Sequence, residues 1–439
     1  MAFFIFSISV IYRIFFPSFQ YHCDVAALIN SSGVGILVKL RQTPEDFIVI
    51  ENGGPEPIID SEMKECEHRL YLLEKRDLDT ISLLARLSRE FNLPRRSFGI
   101  SGFKDRHAVT SQKVTLPSGK GKGLPEKIGD YVGDKSESLT GVGWRLTLLG
   151  GSKNKLRSGS HSSNSFEITV RDITQQQLEG LPSRLEQAQI HGWPNWFDTQ
   201  RFGSAVGSRL PGAYIIKGEY QAAMKLHLTE RNKSDRSDKR RDKKKMAEKW
   251  PKISDLMVEH KPFRKLLKAV GRAEKEGIEG EEMWLMAYMS LPYDIRGLWL
   301  SAWQSNEWNN HLRDLLGDTF SSHLLYSVNI GIGGPLYFPQ APSGKRGAPK
   351  RHLIADIKNT LDGLPEILQM PHSDLDLSKI DQYLSNHKRS LMVHSELDAS
   401  DPLRDELNKK SKGKRWQITL KFNLPPGAYA TVLIKRLFH

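Results

Sequence analysis

GFKDRHAVTSQ, residues 102–112, puts Lys104, Asp105, Arg106 and His107 into a loop between two strand-like runs, one over 98–100 and one over 109–116. Thr110 and Gln112 complete the polar cluster. Asp105 stands between two cations, and opposite charge within a few ångströms keeps a carboxylate ionised. An ionised carboxylate with a fixed direction of approach can act as a nucleophile. Taken alone, the KDR run equally suits a solvated surface loop.

Working outward, GILVKLR (35–41) and FIVIE (47–51) are rich in β-branched residues and flank QTPED, so they read as paired strands around a turn. HRLYLLEK (68–75) reads as a third strand. Leu83, Leu84, Leu87 and Phe91 recur at helical spacing over 80–92, with Asp79 or Thr80 as N-cap and Pro94 as the stop. Residues 119–159 are loose and Gly/Lys/Ser-rich around one strand at 142–149, and 165–170 alternates as a strand. A helix is expected over 174–189, broken at 180–182 by Gly180 and Pro182 and ended by Gly192 and Pro194. The run RNKSDRSDKRRDKKKMAEK (231–249) has almost no apolar residue, which predicts a solvated loop or exposed helix rather than core. Two apolar-periodic helices, 281–291 and 294–316, should pack together. Past Gly317 the apolar runs shorten and the Gly/Pro content rises at 331–350, which reads as irregular chain before a last unit, with 416–423 as a strand and 428–437 as either a helix or a strand.

The composition, 439 residues with 38% hydrophobic and 26% charged, excludes a disordered chain and a small disulfide-stapled scaffold. That length suits two or three domains, or one core with a large insertion. Lys+Arg of 64 against Asp+Glu of 51 leaves +13, a field that attracts polyanions, nucleic acid first. Cys23 and Cys66 form no C-x-x-C pair, so neither a disulfide framework nor a cysteine zinc site is expected, and no other metal-ligand spacing occurs. Reduced thiols fit a cytoplasmic protein. The apolar start AFFIFSISVIYRIFF (2–16) is shorter than the roughly 20 residues of a membrane span. It also lacks a basic leader and a cleavage site. An appended segment from an upstream start codon, or a tail, is the expectation for 1–34, with no membrane attachment.

WPNWFDTQRFG (193–203) interleaves four aromatics with Asn195, Gln200 and Arg201. That mixture suits stacking on a splayed-out base while its polar edges are read. An aromatic core corner would look the same. GIGG (331–334) lacks the lysine of a phosphate loop.

Four segments in order resemble the TruD family of tRNA pseudouridine synthases. TPEDFIVIE (43–51) is similar to that family's P-E-D-F-x-V-x-E, and GFKDRHAVTSQ to its G-x-K-D-x-x-A-x-T-x-Q. PNWFDTQRFG (194–203) resembles its P-N-Y-F-G-x-Q-R-F-G, and LPPGAYAT (424–431) its closing L-P-x-G-x-Y-A-T. A helix with Ala302, Gln304, Ser305, Trp308 and Asn309 also resembles a family helix. By this resemblance Asp105 falls on the catalytic aspartate, Asn195 on the asparagine that positions it, Phe197 on the aromatic that stacks on the target uracil, and Phe47 on another aromatic of the site. Glu51 matches as well. Gln200 and Arg201 are further candidates for binding RNA, and Lys104 and Arg106 either contact phosphates or sit in structural pairs. Three positions depart from the pattern. Arg41 stands where a lysine is usual, Trp196 replaces tyrosine, and Asp198 replaces glycine, which would put a negative charge near the RNA.

The resemblance implies an α+β fold: a pseudouridine-synthase-like catalytic domain with a mixed sheet and flanking helices, interrupted by an α/β insertion. The expected division is 1–34 as an extension outside the fold, 35–219 as the first part of the catalytic domain, 220–394 as the insertion, and 395–439 as the last part. It implies isomerisation of a uridine in the D-stem region of tRNA, without cofactor or obligate protein partner. Asp105 would attack the ribose or the base, or abstract a ribose proton. The competing readings are an RNA-binding protein or RNA chaperone on the same fold, and a metal-dependent nuclease using Asp105 and His107. The nuclease is disfavoured because no second carboxylate lies nearby in sequence.

Overall fold

Strict alternation along 47–53 buries Phe47, Val49 and Glu51 and exposes Ile50, the period of two that one buried sheet face demands. The computed structural model describes residues 38–134, 139, 141–232, 235–342, 350–372, 384, 386–409 and 413–438. The apolar start and Cys23 lie outside these residues. In chain order the first strands are β1 (Phe47–Gly53), β2 (His68–Arg76), β3 (Gly99–Ile100), β4 (Val109–Pro117), β5 (Tyr131–Gly133), β6 (Gly143–Ser152) and β7 (His161–Ile173). Short two-stranded pairs follow: β8 (Trp193–Pro194) with β13 (Met392–Val393), β9 (Leu325–Asn329) with β10 (Pro335–Pro339), and β11 (Ile367–Gln369) with β12 (Lys388–Ser390). β14 (Leu397–Ala399), β15 (Leu403–Arg404) and β16 (Trp416–Leu424) return to the first group. Together they build a ten-stranded sheet in the order β14-β16-β7-β1-β4-β2-β6-β5, with β15 beside β16 and β3 beside β4. β1 and β4 run parallel while their other neighbours are antiparallel, so the fold is α+β on a mixed sheet.

Of the run 35–41, the described residues 38–41 do not pair with 47–51. Within the described part of that run, Lys39 makes an isolated bridge to Arg171 of β7, and the strands beside β1 are β4 and β7. β1 has both edges occupied, which leaves 38–41 to cross the end of the sheet. QTPED is indeed a turn, a 3-10 turn at Pro44–Asp46.

The helices, numbered here in chain order, cover the sheet and build a separate cluster. α1 (Thr80–Glu90) is capped by Asp79, whose carboxylate accepts from Ser82 N at 2.9 Å. α2 (Gln175–His191) runs unbroken through Pro182. Arg184 donates to Gln177 O at 2.6 Å and to the Leu437 carbonyl, and Leu181 and Ala188 pack into the main core. α3 (Pro211–Ile215), α4 (Tyr220–Thr229), α5 (Ser237–Lys249), α6 (Lys261–Lys275) and α7 (Gly280–Met289) gather around the first half of α8 (Tyr293–Thr319), where Tyr288 of α7 meets Trp299 of α8. The stretch expected to be irregular holds the β9–β10 hairpin, turning at GIGG, and α9 (Arg351–Asp362). α10 (Ala430–Leu437) resolves 428–437 as helix.

The charged run 231–249 is not merely solvated. Lys239, Asp242, Lys243 and Met246 of α5 are buried, with Asp235 beneath them. Charge pairing, which hydropathy does not register, makes this burial tolerable. The described residues of 220–394 divide between two cores. Those from 215 to 300 share one helical core, whereas Trp308, Phe338, Ile357 and Leu391 join the main core of the sheet. Among the described residues no helix is long and apolar enough to cross a membrane.

Candidate active site

Sheet register collects a polar strip on the covered face. Val49 pairs with Thr110, Thr110 with Lys75, and Glu51 with Asn164, so these side chains share one face across four strands. Apolar clusters lie on either side of the strip: one holds Phe47, Val49 and Ile168, the other Leu73, Val114 and Leu146. The loop carrying Asp105 closes over the strip.

That loop is pinned from below. Lys75 Nζ donates to the Asp105 carbonyl at 2.5 Å. Thr80 Oγ1 accepts from Lys104 N and donates to Lys104 O, both at 3.2 Å. Gln112 Nε2 donates to Gly102 O at 3.0 Å. Burial pulls the Lys75 ammonium down to about 8, against the raising effect of Asp105 and Asp79.

The cation that meets Asp105 is not one of its chain neighbours. Arg41 Nη2 lies 3.2 Å from Asp105 Oδ2, and the same guanidinium stacks over the Phe47 ring at 3.9 Å. A planar guanidinium can pair and stack at once, so the arginine found in place of lysine fits its surroundings. Arg41 holds a left-handed backbone at φ 59°, a conformation costing about 1–2 kcal/mol for a residue with a Cβ. Lys104 turns the other way, to Glu51 at 2.7 Å and Asn164 Oδ1 at 2.9 Å, in a buried pair. Lys104 therefore does not flank the Asp105 carboxylate. Arg106 is half-buried on the loop, and His107, which is exposed there, pairs with Asp77 at 2.7 Å. The Asp105 carboxylate is 30% exposed, open to a ligand while held in place.

A second cluster joins the other two motifs. Phe197 is locked by paired amide bonds to Asn309 of α8, N to Oδ1 and Nδ2 to O, both 2.9 Å. Arg389 of β12 lies over the Phe197 ring at 4.0 Å, and Tyr429 meets its edge at 6.0 Å. Arg389 Nη2 also donates to Asn195 Oδ1 at 2.6 Å, while Asn195 Nδ2 donates to Ser390 O at 3.0 Å. The Asn195 amide is therefore spent within its own cluster. No hydrogen bond or ion pair among the described residues joins it to Asp105. Arg201 is buried and donates to Ser305 Oγ at 2.9 Å, whereas Gln200 is exposed.

Asp198 does not face outward. It is buried, ion-paired to Lys435 of α10 at 2.5 Å, and also accepts from Thr431. Against the upward push of burial, Lys435 and Thr431 hold its carboxyl below the usual range. The departure from glycine ties the aromatic motif to the C-terminal helix.

Two side chains escaped sequence reasoning. Lys75 carried a signal, since it follows Tyr71 and Leu73 on the apolar face of β2. Arg389 carried none, because it lies far along the chain in a segment with no readable period.

The family model described as tRNA pseudouridine synthase D (TruD) matches residues 26–324. The chain belongs to the TruD family. A Methanocaldococcus jannaschii protein named as a probable tRNA pseudouridine synthase D is 28% identical over 426 residues, covering 92% of each chain. The tRNA pseudouridine synthase D of Aquifex aeolicus is 26% identical over 430 residues, covering 91% of this chain and 98% of its own. The crystal structure of a TruD protein from Methanosarcina mazei has the same fold, with a TM-score of 0.57 at 19% identity over 91% of this chain and 93% of that one.

Proposed function

We propose that this TruD protein isomerises a uridine of tRNA to pseudouridine, with Asp105 as the catalytic carboxylate and no cofactor. The observation that carries the reading is the setting of Asp105: a partly open carboxylate, paired with Arg41 at 3.2 Å on a loop whose backbone Lys75 and Thr80 hold. In the reaction the N1–C1′ bond breaks and a C5–C1′ bond forms, C5 loses a proton and N1 gains one. No electrons are exchanged with a second reagent, so the chemistry calls for a positioned carboxylate rather than a redox group or metal. Arg41 fixes the direction of the carboxylate, which attack or proton abstraction requires. Phe47 carries the Arg41 guanidinium that pairs with Asp105, and Phe197 is the ring that meets a base lifted out of its stack. Exposed Gln200 and half-buried Arg106 face the RNA, while Glu51 and Lys104 support the floor of the site and Asn195 acts through Arg389 and Ser390. The helical unit built on 215–300 is the family's insertion, and a cytoplasmic setting goes with a tRNA substrate.

Asp105→Asn should lower pseudouridine formation by about 10²–10⁴-fold while tRNA affinity stays near wild type. A tritium-release or mass-spectrometric assay on unmodified tRNA, paired with filter binding, reads both. Wild-type turnover by Asp105→Asn would overturn the assignment. A wild-type protein that binds tRNA and forms no pseudouridine would support RNA binding without catalysis.

A further inference from the structure

Two guanidinium groups lie beside Phe197, and among the described residues neither has a carboxylate partner. Arg201 and Arg389 each keep only 7% of their surface exposed. Arg389 directs its donors to neutral oxygens, the Asn195 carbonyl and Oδ1 and the Gly427 carbonyl. Arg201 uses Nε on Ser305 Oγ, and its terminal Nη pair has no acceptor among the described residues. Asp198, the carboxylate of the same motif, is already taken by Lys435 and Thr431. The field of the two arginines is felt nearby: burial first, then Arg389 and Arg201, push the His387 imidazole below its ordinary value. Buried cations left without an anion are held at a cost, and a guanidinium fork matches a phosphate in shape and charge.

We propose that Arg201 and Arg389 form a binding site for one backbone phosphate of the RNA substrate, beside the nucleotide whose base meets Phe197. This rests on the reading that the chain acts on tRNA. Arg389 lies over the Phe197 ring at 4.0 Å and Arg201 at 5.5 Å, and the Nη pair of Arg201, without an acceptor among the described residues, receives the phosphate. Arg389 then acts mainly as a fixed positive wall, because most of its donors are already engaged.

The test is tRNA binding by Arg201→Gln over a series of KCl concentrations, with folding checked by circular dichroism. One lost phosphate contact should lower the slope of log affinity against log salt by about 0.7–0.9 and weaken binding roughly tenfold. Arg201→Lys, which keeps the charge, should recover the slope and only part of the affinity. In a second arm, tRNA carries a single uncharged methylphosphonate linkage, on a 2′-deoxy sugar, at each position flanking the modified uridine in turn. Wild type should lose affinity at one linkage, and Arg201→Gln should lose nothing further there. An unchanged salt slope in folded Arg201→Gln, or additive losses at every linkage, would overturn the site. If the variant does not fold, a methylphosphonate scan without effect on wild type does so instead. Wild-type protein that neither binds nor modifies tRNA would overturn the function and this site together, whereas wild-type turnover with an unaltered Arg201→Gln slope overturns the site alone.

Discussion

At the scale of single residues, Lys75 sets the geometry around Asp105 more directly than the two cations beside it in the chain. Its Nζ reaches the Asp105 carbonyl at 2.5 Å from the floor of the sheet. Lys75→Met keeps the volume of the side chain and removes the donor. Loss of a hydrogen bond from a charged donor, about 1.5–3 kcal/mol, is offset in stability by no longer burying an ammonium. The melting temperature should therefore stay within a few degrees while pseudouridine formation falls about 10- to 100-fold, read by single-turnover assay and thermal denaturation. A variant with wild-type single-turnover rate would show that the loop holds Asp105 without it. Sequence made Asp105 and Phe197 visible as motif residues, but the pairing of Asp105 with Arg41 and the diversion of Lys104 to Glu51 depend on which way each side chain leaves the backbone.

At the scale of elements, α5 shows that a run of charges can be structural. Lys239 and Lys243 meet Asp235 at 2.6 and 2.9 Å inside the helical core, and Lys243 also donates to Glu230 O at 2.5 Å. Against the raising effect of burial, the two lysines hold Asp235 down at about 2. Asp235→Ala would leave two buried ammonium groups without their carboxylate, at a cost of about 3–5 kcal/mol. The expected outcome is a lower melting temperature and faster proteolytic cutting within 215–300, measured by calorimetry and limited trypsin digestion. A melting temperature equal to wild type would show that solvent reaches the pair. The strands and α1 were readable because alternation and a capped apolar stripe are local properties. Helix α2 was read as broken because local propensity at Pro182 was outweighed by packing of Leu181 and Ala188 and by the Arg184 hydrogen bonds.

At the scale of the whole molecule, burial of imidazoles in both cores links folding to pH. Burial holds His191 down to about 3 and His260 to about 4, and His227 lies well below its ordinary value for the same reason. In the unfolded chain each accepts a proton near pH 6.5. Below that pH the unfolded state binds protons that the folded state refuses, so stability falls, by up to about 1.4 kcal/mol per pH unit for each histidine. Asp198 and Asp235, both lowered, add the same sign at more acid pH. The urea midpoint should drop clearly between about pH 7 and pH 5, and a constant midpoint would contradict the burial of these rings. By itself the sequence determined the motif order, the family, the longer sheet strands and the basic charge, because short-range patterns and residue identities encode them. Only the tertiary structure decided that Trp308, Phe338, Ile357 and Leu391 pack with the sheet, that Asp198 is an internal ion pair, and that Arg389 lies over Phe197. Those outcomes depend on contacts between residues up to 237 positions apart, which no local period or spacing records.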